Sequence, residues 1–75
     1  EEHEVLEHVR IHAVVAKLTP KQREAFVLYE LEELPGSQVA LILGVPENTV
    51  WARLRLARNH FREIWNREYG QGESP

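Results

Sequence analysis

Seventy-five residues make one domain at most, and a chain that short buries only roughly 60% of the surface its unfolded form exposes, which leaves no volume for a deep catalytic pocket. The absence of cysteine removes disulfides and thiolate metal sites and fits a reducing, cytoplasmic setting, and no apolar run approaches the roughly 20 residues that span a bilayer. The net charge of −3 hides a division, because residues 1–49 carry four basic and nine acidic side chains while residues 50–69 carry five arginines against Glu63 and Glu68, so one positive segment on an acidic body faces toward phosphate.

From Glu2 to Lys17 the apolar residues Val5, Leu6, Val9, Ala13 and Ala16 recur at helical spacing with charges between them, which predicts an amphipathic first helix. The chain begins at Glu1, already inside that pattern, and carries no signal peptide, so it reads as a segment cut from a longer protein. Thr19-Pro20-Lys21-Gln22 then supplies a helix start: the threonine hydroxyl accepts from a first-turn amide, proline fits the first helical position, and Gln22 reaches back as a capping box. The second helix is expected from Pro20 to Glu33, burying Ala25, Phe26, Tyr29 and Leu28.

Leu34-Pro35-Gly36 ends it, because proline disfavours helical geometry in its predecessor and glycine lets the chain turn back. Ser37 is the expected N-cap of a third helix carrying Val39, Ala40, Ile42 and Leu43, and Gly44 sits where a left-handed closing residue is needed. After Val45 and Pro46 a fourth helix runs to Tyr69, with Val50, Leu54, Ala57, Phe61 and Ile64 forming one inward stripe. The domain thus spans residues 1–69, all-α and compact, with four helices, a helix-turn-helix and no wing. Residues 70–75 form a polar, glycine-containing tail expected to be disordered.

A short apolar helix, a glycine-pivoted turn and a second helix bearing Arg53, Arg55 and Arg58 follow the plan of a helix-turn-helix that lays its second helix in a major groove. Stepping about 100° per residue from Val50 gathers Trp51, Arg55, Arg58 and Arg62 on one flank, while Asn48, Ala52 and Asn59 face outward. Arg55 and Asn48 have the chemistry for guanine and adenine edges. Arg58 and Arg62, farther along, suit phosphate. Arg53 lies near the inner edge, where an ion pair with Glu30, Glu32 or Glu33 competes with a phosphate contact. Trp51 admits three roles: a core edge, a stacking or thymine-methyl contact, or a protein-contact anchor.

The segments Leu18-Thr19-Pro20-Lys21-Gln22-Arg23-Glu24-Ala25-Phe26, Leu34, Val39-Ala40, Leu43-Gly44-Val45-Pro46, Thr49-Val50, Arg53-Leu54 and Ala57-Arg58 together resemble region four of bacterial RNA polymerase sigma factors, especially the extracytoplasmic-function (ECF) group. The resemblance covers about two thirds of the chain in the right order. It implies a four-helix unit that binds the minus-thirty-five promoter element through its last two helices and docks on the flap of the polymerase beta subunit, with an anti-sigma factor as a further partner. It also implies that Asn48, Thr49, Trp51, Ala52, Arg53, Arg55, Leu56 and Arg58 face promoter DNA. The sequence departs from that pattern at Trp51, where a basic residue is common, at Ala52, where serine is common, and at Leu56, where arginine is common.

Two alternatives stand beside this reading. One is the DNA-binding domain of LuxR-type response regulators; the other is a sigma-like module that engages only the flap or an anti-sigma factor, with the basic helix incidental. An enzyme is not expected, because no Gly-rich phosphate loop and no serine, histidine and carboxylate grouping is present. His8 and His12 stand four apart without a recognisable third ligand, so no metal, cofactor, membrane or small-molecule substrate is expected. The glutamates of the first helix read as its solvated face and a favourable helix start.

Overall fold

The computed structural model describes residues 2–70, and within them the chain is all-helical. Helix α1 spans Glu2–Val15, α2 Pro20–Phe26, α3 Gly36–Leu43 and α4 Glu47–Tyr69, with a π-helical turn, Val27–Leu31, continuing α2. The expected tail lies outside the described residues except Gly70, whose amide donates to the Asn66 carbonyl and closes α4.

The start of α2 follows its local signals. The Thr19 hydroxyl accepts from the Gln22 amide and the Gln22 side chain accepts from the Thr19 amide, both at 3.3 Å, so two otherwise orphaned donors are satisfied reciprocally. Its end differs from the expectation of a regular helix to Glu33. The α pattern stops at Phe26, and the Glu32 amide reaches back five residues to the Val27 carbonyl at 2.8 Å. The reversal falls to Glu33, which takes a left-handed φ of 61°, uncommon for a residue with a Cβ. Gly36 is therefore not the turning residue. It is the first residue of α3, with Pro35 rather than Ser37 at the N-cap and no side-chain cap. The Pro35 carbonyl accepts instead from Gln38 and Val39, each at 3.0 Å.

Gly44 closes α3 as its position demands, with φ 70° and ψ 36°. Its amide and that of Val45 both donate to the Ala40 carbonyl, at 2.8 and 3.1 Å, a Schellman-type closure that turns the chain into α4 within three residues.

Helix α4 is the floor of two apolar clusters. Its first half buries Val50 and Leu54 against Ala25, Val39 and Ala40, flanked by Leu28, Tyr29, Leu34, Leu43 and Val45. Its second half buries Ala57 and Ile64 against Val14, Val15, Leu18 and Phe26, with Phe61, Trp65 and Tyr69 packed alongside. Side chains such as Leu54 and Ile64, fully buried, contribute about 1.5–3 kcal/mol each.

The first helix packs on a different face from the one its periodicity suggested. Val5, Leu6, Val9, Ala13 and Ala16 are exposed, while Ile11, Val14, Val15 and Leu18 meet the body. Only the last turns of α1 reach α4, so the burying face is chosen by what that end can touch. On α3, Ile42 is likewise exposed rather than buried, beside Leu41.

Candidate nucleic-acid interface

The turn from Gly44 to Pro46 leads into α4, whose first turn is closed by the Thr49 and Val50 amides donating to the Pro46 carbonyl at 3.0 and 3.3 Å. Pro46 is the N-cap, extended at φ −64° and ψ 154°, and it makes no side-chain cap. Glu47 and Asn48 follow, exposed, and Thr49 is half-buried. With Val50, Leu54 and Ala57 held at 0% exposure, the rotational setting of the helix is fixed and its opposite side must face out.

On that outward side Asn48, Arg55, Leu56 and Asn59 are exposed and Ala52 is half-buried. Arg55 has no carboxylate within ion-pair distance among the described residues. Arg62 is also exposed, and its Nη1 donates to Asn59 Oδ1 at 3.3 Å, a contact along the same helix surface. These side chains can be offered to an anionic partner without first breaking an internal ion pair.

Arg58 differs. Its Nε donates to Glu30 Oε2 at 2.6 Å, its Nη2 lies 2.5 Å from the same oxygen, and its guanidinium stands 5.7 Å from the centre of the Tyr29 ring. The expectation of an open Arg58 is thereby corrected: the π-helical turn brings Tyr29 and Glu30 over this flank of α4 and ties the guanidinium to it. The ion pair considered for Arg53 with Glu30, Glu32 or Glu33 is absent among the described residues, and Glu30 is engaged by Arg58 instead. Arg53 is half-buried at the edge of the helix.

Trp51 takes the core-edge position among the roles expected for it. Its indole meets the Tyr29 ring edge-on, with centroids 5.2 Å apart and planes at 86°, and it lies over Gly36 so closely that a Cβ there would fall 2.4 Å from Cζ2. The ring is thus a wedge between α4 and the start of α3, yet 41% of the residue remains exposed. The glycine is required by this approach and not by backbone conformation.

On the other side His60 Nδ1 lies 2.9 Å from Gln22 Oε1. Since the amide oxygen only accepts, His60 donates, and the capping box of α2 is joined to α4. Farther along, Phe26, Phe61, Trp65 and Tyr69 form a ladder with successive centroids 5.1, 5.8 and 5.0 Å apart, and Arg10 stands 4.9 Å from the Tyr69 ring centre.

Sequence reasoning missed Glu30, Tyr29 and Gly36 as the residues that position this face. Complementary charge on Glu30 and Arg58 was the available signal, but Arg53 with Glu30, Glu32 or Glu33 offered the same chemistry before the π turn is known. His8 and His12 rings lie 4.5 Å apart on α1, and no group of three metal-ligating side chains forms among the described residues. No described helix is long and apolar enough to cross a membrane.

Compared with known protein families, residues 8–61 match sigma-70, region 4, more than half of the chain, including α3 and the larger part of α4. No curated protein and no solved structure matches the chain.

Proposed function

The chain belongs to the sigma-70 region 4 family, non-catalytic modules through which sigma factors engage DNA and RNA polymerase, and we propose that it is the promoter-reading module of an alternative, ECF-type sigma factor, acting in the cytoplasm on the minus-thirty-five element. The observation that carries this reading is the exposed Arg55, without an ion-pair partner among the described residues, on the same outward face of α4 as Asn48. Arginine forks onto guanine O6 and N7, and asparagine onto adenine N6 and N7. Arg62 and Arg53 supply phosphate contacts, which set register without reading sequence. Thr49, Trp51, Ala52 and Leu56 complete the DNA-facing set, and Arg58 joins it when released from Glu30.

The protein partners in this reading are the polymerase flap and an anti-sigma factor. The exposed Val5, Leu6 and Val9 on α1, set among Glu4 and Glu7, favour such contacts away from the DNA face. A module restricted to protein partners is the second reading, and the family match sets aside the LuxR-type alternative. No cofactor takes part.

Titration of the folded chain against promoter duplexes at several salt concentrations tests the proposal. Binding should weaken with a slope of roughly −0.9 per phosphate neutralised. Arg55→Ala should cost about 1–3 kcal/mol at one base position, while Arg62→Ala should weaken binding across all sequences. If neither substitution alters DNA affinity, this face is not the interface, and affinity for a flap or anti-sigma fragment alone supports the second reading.

A further inference from the structure

The polar contacts proposed for α4 assign no chemistry to the apolar residues of its DNA-facing set. Leu56 is 55% exposed and Trp51 41% exposed, and the half-buried Ala52 lies between them in the chain. Exposed apolar area on a binding helix is a recognition feature that prefers to be covered. Beside it stands Arg55, which demands an acceptor. A purely apolar partner would strand that guanidinium without a hydrogen-bond partner, and a purely phosphate surface would leave the leucine and the indole in water.

A major groove satisfies both demands on one floor. Guanine presents N7 and O6 there, and thymine presents its C5 methyl. Trp51 and Leu56 are five residues apart, a rise of about 7.5 Å and a turn of about 140° around the helix, so they lie on either side of Arg55 on the outward face and address different base pairs. The indole is also held in place by Tyr29 and Gly36, so presenting its free edge costs little ordering entropy. Ala52, with only a methyl, lets the helix approach closely between the two.

We infer that this helix reads thymine methyl groups: one against Leu56 and one against the free edge of Trp51, flanking the base taken by Arg55. The inference rests on the DNA-binding reading above and specifies its target. The departures from the common pattern at Trp51, Ala52 and Leu56 exchange polar contacts for methyl contacts, and the preferred site is correspondingly rich in thymine.

The 75-residue chain is used to recover duplexes from a random-sequence pool, and each thymine of the recovered site is then replaced by uracil, which pairs identically and lacks only the methyl. Binding should fall roughly three- to tenfold at two positions. Leu56→Ala, at an exposed position, should erase the uracil penalty at one of them and keep it at the other, and Trp51→Phe should reduce the second. Circular dichroism establishes that each variant is folded; if Trp51→Phe is not, Leu56→Ala decides. A recovered site without thymine, equal binding by every uracil duplex, or an unchanged penalty in folded Leu56→Ala overturns the inference while DNA binding stands. Failure of the folded chain to enrich any duplex overturns the DNA reading and this inference with it.

Discussion

The two halves of α4 follow one apolar period and build different things with it. Around Val50 and Leu54 the fully enclosed partners are small or β-branched, Ala25, Val39 and Ala40, with Leu28, Tyr29, Leu34 and Leu43 at the rim, and Gly36 lets the Trp51 ring lie against the start of α3. Around Ala57 and Ile64 the cluster adds aromatic bulk to Val14, Val15 and Leu18: Phe26 of α2 stacks on Phe61, Phe61 on Trp65, and Trp65 meets Tyr69 edge-on. Small residues set the position and rotation of a helix tightly, since shifts have nowhere to go in close packing. Aromatic residues cover much area and add pair geometry, which suits a chain without disulfides. The first half therefore sets the rotation of α4, and the second half adds aromatic area along it.

The largest effect expected from this division comes from Leu54→Ala. The side chain is fully buried at the crossing of α3 and α4, and its loss should cost about 2–5 kcal/mol, a large share of the roughly 5–15 kcal/mol typical of a domain. Urea denaturation should show the lower midpoint, and DNA affinity should fall with it because the reading helix loses its seat. Trp65→Ala tests the other half. It removes two ring contacts, to Phe61 and Tyr69, and should destabilise the domain by about 1–3 kcal/mol while leaving the DNA affinity of the folded protein unchanged. A drop in DNA affinity for folded Trp65→Ala would break the comparison, since it would place the aromatic ladder in the reading machinery.

The features legible in the chain were those whose cause is local. Thr19-Pro20-Lys21-Gln22 caps α2 through contacts within four residues, Gly44 closes α3 by its own backbone freedom, and the stripe from Val50 to Ile64 reports a single long helix. The register of α1 was not legible, because Val5, Leu6, Val9, Ile11, Val14 and Val15 lie around much of its circumference, and only the position of α4 selects among them. The π turn has no composition of its own: a shift of one hydrogen-bond step leaves the residue types unchanged. Gly36 drew attention as a turn, while the reversal occurs at Glu33 and the glycine answers to a ring fifteen residues later. At the candidate interface the existence of the arginine row was readable. Its division into open and tethered members depends on Glu30, which reaches Arg58 only through that π turn.

The smallest expected effect sharpens the boundary between the two halves, because Arg58 stands where they meet. Its pair with Glu30 is well exposed, at 48% and 31% for the two side chains, so the contact is worth about 0.2–1 kcal/mol to folding. Glu30→Gln keeps the shape and removes the charge, and the domain should lose no more than that amount. The freed guanidinium, one turn beyond Arg55, then has a phosphate within its reach, so DNA affinity should rise and the salt dependence should steepen by roughly 0.9 in slope. Removing a negative charge near DNA would raise affinity even if Arg58 never touched it, but general repulsion adds no phosphate contact. Arg58→Ala in the Glu30→Gln background separates the two: it should return the slope to that of the parent chain if Arg58 makes the contact. An unchanged slope in Glu30→Gln would assign Arg58 wholly to the packing of α4 against the π turn, leaving Arg62 as the phosphate contact on this flank.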